Sequence, residues 1–150
     1  RWDGSTWVPL GGGIPGATAY VAALAVLPNG DVVAGGVFAF AGGLAAQGIA
    51  RWNGSSWSAF GPGLPWVSSL LALPNGDLVA GGTFGQDGSL GNLRSIARWD
   101  GAAWQPFGTG MNGNVQALAR LPNGDLVAGG AFTQAGGVGA NRLAQWNGSA

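Results

Sequence analysis

Cysteine, histidine, lysine and glutamate are absent from all 150 residues, and tyrosine and methionine occur once each. Each absence removes a class of chemistry. Without cysteine there is no disulfide framework and no thiolate nucleophile. General acids, bases and nucleophiles come mostly from His, Cys, Lys and Glu, so the chain reads as non-enzymatic, with no catalytic residue to name. The charges are six Arg and six Asp, which cancel. A zero balance gives no basic footprint for nucleic acid or an anionic membrane surface. No apolar run is long enough for a spanning helix, so membrane insertion is not expected. Residue 1 is Arg with no leader before it, which reads as a processed or excised piece.

The chain does hold 31 glycines and eight tryptophans, placed in repeats. LPNGDLVAGG occupies 73–82 and 121–130, and the same string with one Val for Leu occupies 27–36. RWDGSTWVPLG at 1–11 returns as RWNGSSWSAFG at 51–61 and RWDGAAWQPFG at 98–108, and the chain stops within QWNGSA at 145–150. The whole chain is therefore a single repeat domain, with repeats at about 1–50, 51–97 and 98–144 and a partial fourth copy at 145–150.

Each repeat contains two hairpin signals. Asn29-Gly30, Asn75-Gly76 and Asn123-Gly124 lie between apolar runs, where Asn-Gly predicts a two-residue type I′ turn with two positive φ angles. The preceding Pro28, Pro74 and Pro122 mark the end of the first strand. Asp3-Gly4, Asn53-Gly54, Asp100-Gly101 and Asn147-Gly148 predict the second turn. The tryptophans around it are five residues apart, so a two- or four-residue loop puts both on one face. Four short strands per repeat predict an all-β β-propeller: three four-stranded antiparallel blades per chain, with the ring closed by oligomerisation.

Length differences between the copies locate a variable face. Gly36, Gly82 and Gly130 precede Trp52, Trp99 and Trp146 by 16, 17 and 16 residues, and Trp2, Trp52 and Trp99 precede Leu27, Leu73 and Leu121 by 25, 21 and 22. Insertions thus fall between the second and third strands, or between one blade and the next. In a propeller those connections share a face, and variation on one face marks it for binding.

Gly35-Gly36, Gly81-Gly82 and Gly129-Gly130, each followed by a Trp one strand later, resemble the kelch-type propeller repeat. The fuller string, with IARW, a second Trp and LPNGDLVAGG, is similar to kelch-like repeats of large bacterial surface or secreted proteins and of fungal cell-polarity proteins. That resemblance implies a secreted or cell-surface setting and a role in binding partners. Galactose-oxidase-type members need His, Tyr and Cys at their copper, and this chain offers only Tyr20. No cofactor and no metal are expected.

Asp31, Asp77 and Asp125 recur once per repeat, too dispersed to share one ion and suited to satisfying turn amides. Arg1, Arg51 and Arg98 precede Trp and suit cross-strand stacking on indole. Trp66 is the one tryptophan outside the repeated pairs, and its counterparts are Tyr20 and Asn114, all at the start of an innermost strand. There they stack on and hydrogen-bond a carbohydrate or peptide ligand, or else Trp66 plugs the channel or the blade junction. Gln86, Asp87, Asn92, Arg94, Gln134, Asn141 and Arg142 share the variable face as further ligand-binding candidates. The Asp87 loop has one carboxylate, short of a calcium site. Asn53-Gly54-Ser55 and Asn147-Gly148-Ser149 are formal glycosylation acceptors.

Three blades are too few to close a ring. The N-terminus supplies a last strand without its partners, and the C-terminus supplies three strands without the last. A homo-oligomer completed head to tail follows, with a dimer giving six blades favoured and a trimer giving nine as the alternative. The functional expectation is a self-assembling structural or interaction scaffold; the alternative is a carbohydrate- or peptide-binding module using the variable face.

Overall fold

A computed structural model describes residues 1–148, which are all-β with no helix. Ser149 and Ala150, which end the partial fourth copy and its glycosylation acceptor, lie outside the described residues. The first sheet contains β1 (Tyr20–Val26), β2 (Val32–Val37), β5 (Ile49–Trp52) and β6 (Trp57–Ala59) in that order; a small hairpin of β3 (Phe40–Ala41) and β4 (Leu44–Ala45) interrupts the connection from β2 to β5. The second sheet runs β7 (Val67–Ala72), β8 (Leu78–Gly82), β9 (Ile96–Trp99), β10 (Trp104–Pro106). The third holds β11 (Asn114–Arg120), β12 (Leu126–Ala131) and β15 (Leu143–Trp146), with β13 (Gln134–Ala135) and β14 (Val138–Gly139) as a second small hairpin. All pairings are antiparallel, and the sheets do not close on themselves.

The Asn-Gly turns depart from the sequence expectation. Asn29, Asn75 and Asn123 keep negative φ, and only the following glycine is left-handed, Gly30 at φ 88°. The Gly30 N–H donates to Leu27 O at 2.9 Å and the Leu27 N–H to Asp31 O at 2.8 Å, so the loop has three residues. This is a turn with Pro28 at its first central position, followed by a glycine bulge. Proline presets that position, and Asn29 acts through its side chain: its Oδ1 accepts the Asp31 N–H at 3.1 Å and its Nδ2 donates to Asp31 Oδ2 at 2.8 Å. Two consecutive positive φ angles occur instead at Gly42-Gly43 (56° and 84°) and Gly136-Gly137 (60° and 84°), the tips of the two small hairpins.

Alternation puts successive residues of each strand on opposite faces, and β2 and β8 are buried on both. Val33, Ile49, Leu64, Val67, Leu78, Ala80 and Phe84 form the core between the first and second sheets. Val79, Ile96, Met111, Val115, Leu126 and Phe132 form the next one. Ala34, Phe38, Ala50 and Trp57 pack on the other side of the first sheet beneath Leu10 and Ile14.

The Gly-Gly pair sets this spacing. A Cβ on Gly36, Gly82 or Gly130 would meet the carbonyl oxygen of Tyr20, Trp66 or Asn114 across the strand pair. A Cβ on Gly35 would lie 2.5 Å from Val67 Cγ1, and one on Gly81 2.6 Å from Val115 Cγ1, so these glycines admit the next sheet's inner strand. Gly129 differs, with Leu143 Cδ1 nearest at 3.8 Å.

Candidate functional site

The variable connections do lie together. Each segment leading into an innermost strand bonds a loop between second and third strands: Gly42 N–H to Gly13 O at 2.7 Å, Leu64 N–H to Gln47 O at 2.8 Å, Met111 N–H to Arg94 O at 3.0 Å, and Gly136 N–H to Gly110 O at 2.9 Å.

The ten candidate residues do not converge on one cavity: Trp66 and Asn141 line different ones. Tyr20 and Asn114 open β1 and β11, and Trp66 immediately precedes β7. Asn114 Oδ1 is buried without a partner. Trp66 carries φ 61°, is 61% exposed, and so is not the plug of a packed junction. Gln86 Nε2 donates to Ser95 Oγ and to Met111 O at 2.8 Å, a tie between the second sheet's loop and the next connection, beside the Arg94 carbonyl. Asp87 Oδ1 accepts the Ser89 N–H at 2.9 Å; the Ser89 hydroxyl, then its N–H, holds the Asp87 carboxyl below its ordinary range. Asn92 is exposed in the same loop. The Gln134 N–H donates to Asn112 Oδ1 at 2.8 Å. Asn141 lines a cavity beside the third sheet. Arg142 is left-handed at φ 67°, as are Gly48 at 70° and Ser95 at 60° just before the other third strands. These three N–H groups donate to Phe38, Phe132 or Phe84 carbonyls at 2.9 to 3.0 Å, and their carbonyls accept from Gly36, Gly82 and Gly130. Arg142 thus holds a structural backbone position that composition did not disclose.

On the constant face, Asp31 accepts from Arg51 Nε, Asp77 faces Arg98 at 3.7 Å, and Asp125 accepts Gln145 Nε2 at 2.6 Å. The cross-strand partner of Arg51 and Arg98 is a carboxylate, not the indole expected from their position beside Trp, because charge pairing across β2–β5 and β8–β9 is available. Asp3 and Asp100 cap the tryptophan hairpins. Asp100 Oδ1 accepts the N–H groups of Ala103 and Ala102, both at 2.9 Å, and these bonds lower its pKa from the ordinary 3.8.

The tryptophan pairs use the four-residue loop. Trp52 faces Trp57 and Trp99 faces Trp104, each pair with ring centroids 5.5 Å apart. The residue three after each previous repeat's second tryptophan packs beneath them: Trp57 Nε1 donates to Leu10 O at 2.7 Å, and Phe60 lies 5.3 Å from Trp99 and 6.0 Å from Trp104. Phe107 meets Trp146 in the same way at 5.4 Å. Beside that ring, where no fourth strand is paired to β15 among the described residues, a cavity of about 860 Å³ is lined by Phe107, Met111, Ala128, Ala144 and Trp146.

A second cavity, of about 480 Å³, lies on the variable face between Trp66, Phe40, Gln47 and Thr18. Of these only Trp66 was legible as a candidate; Gln47 lay in a variable-length connection, and nothing in the pattern singled out Thr18 or Phe40.

These features define an all-β repeat protein of stacked antiparallel sheets. Comparison with protein-family models, with curated proteins and with solved structures finds no match. The kelch resemblance rests on the repeat residues alone.

Proposed function

We propose that this chain is a non-enzymatic β-propeller segment of the kelch-like kind, a scaffold that self-assembles when one copy's N-terminal strand completes another copy's last blade. The observation that carries the reading is the 860 Å³ cavity beside Trp146, at the place that Trp104 fills in the second sheet. Trp7 is the candidate occupant. It is 79% exposed and, among the described residues, pairs only with Trp2 of its own hairpin. Arg1-Trp2 occupies the edge that Gln145-Trp146 of another copy would take over.

The sheet faces at the two ends are complementary as well. Val67 and Leu70 lie over Gly35, and their counterparts Val21 and Leu24 are 42% and 65% exposed. Gly129 has the corresponding open space. Burying such a pair of apolar faces contributes on the order of 25 cal/mol per Å². Two chains then supply six blades, within the usual four to eight. Light scattering at several concentrations gives the solution mass: a dimer is expected, and Trp7→Ala shifts it towards monomer. A monomer at every concentration overturns the reading.

A further inference from the structure

We infer that the groove at Trp66 is a binding site for a neutral saccharide, a function separate from assembly. The groove lies between the first sheet's β3–β4 hairpin and the segment leading into β7. An aromatic residue at φ 61° is strained, and such strain persists only where the surroundings hold it. The aligned residues Tyr20 and Asn114 are not left-handed, so the distortion belongs to this repeat alone. Its result is an indole held 61% exposed at the rim of a concave surface, with Phe40 also exposed in the lining.

The lining has the two components that a sugar needs. Trp66 and Phe40 offer apolar faces for ring C–H groups. The Thr18 hydroxyl and the Gln47 amide are exposed and have no hydrogen-bond partner among the described residues, leaving donors and acceptors for hydroxyl groups. No charged side chain lines the groove. An anionic or cationic ligand would find no counter-charge there, whereas a neutral pyranose matches both components. A volume of about 480 Å³ suits a few sugar units.

Calorimetric titration with cellohexaose, maltohexaose and the fully N-acetylated chitin hexamer, all neutral, tests this, with decaproline as the competing peptide ligand. Binding of at least one oligosaccharide is expected, weakened about tenfold or more in Trp66→Ala, the loss of one stacked aromatic face. Gln47→Ala, which leaves the backbone carbonyl bonded to Leu64 in place, is a second variant and should weaken binding independently. Circular dichroism confirms that each variant is folded. No binding by any of the three sugars, binding unchanged in both variants, or Trp66-dependent binding of decaproline in place of sugar would each overturn the assignment. Repeating the titration with Trp7→Ala separates the two proposals, because saccharide binding at Trp66 should survive loss of assembly.

Discussion

The two glycines of each VAGG string do different work, and substitution separates them. Alanine at Gly35 or Gly81 forces Val67 or Val115 aside, an overpacking that costs about 1–3 kcal/mol. Alanine at Gly129 meets nothing closer than Leu143 Cδ1 at 3.8 Å, so the monomer should change by less than about 0.5 kcal/mol, while association weakens. Denaturant titration of the three variants measures the first contrast and light scattering the second. Arg142 supplies another residue-scale test. Its left-handed backbone is a position that Gly48 fills in the first sheet, so Arg142→Gly should stabilise the chain by about 0.5–1 kcal/mol in thermal unfolding. An unchanged or lowered midpoint would mean that the Arg142 side chain contributes more than its backbone strain costs.

At the scale of the element, strand positions and order were legible because apolar runs, Asn-Gly and paired Trp are local signals. The order β1-β2-β5-β6 follows from them directly. Turn type was not, since proline's fixed φ and the side chain of Asn29 decided the geometry where Asn-Gly alone pointed elsewhere. The small Gly42-Gly43 and Gly136-Gly137 hairpins were missed because their strands are two residues long, too short to show alternation. The groove at Trp66 was half legible: the indole stood out as unpaired, but its neighbours come from a different repeat. The capped tryptophan hairpin makes a prediction about acid. Asp100 has a depressed pKa in the folded chain, so its stabilising contribution is complete above 3.8 and is lost as pH falls from there through the folded value. Near-ultraviolet circular dichroism of the Trp99–Trp104 hairpin should therefore change only below that value. Asp100→Asn keeps the accepting oxygen, as Asn53 does in the previous copy, and should remove this part of the acid response.

Across the whole molecule, contacts run from one sheet to its neighbour, and stability follows as a sum of sheet and interface terms. The second sheet is flanked on both sides, and all five residues of β8 are buried. Amide exchange should be slowest there, faster in β11, β12 and β15, and fastest in the N-terminal hairpin. If copies join head to tail, protection of β12 rises with concentration while that of β8 hardly moves. The stacked indoles offer a way to watch this. Two like chromophores 5.5 Å apart and tilted by 54° or 63° share their excited states, and their far-ultraviolet absorption splits into a couplet of opposite-signed circular dichroism bands. Each tryptophan hairpin is thus its own optical reporter, and a completed blade would exchange the Trp2–Trp7 couplet, from rings 5.8 Å apart, for one from Trp146 facing a second copy's Trp7.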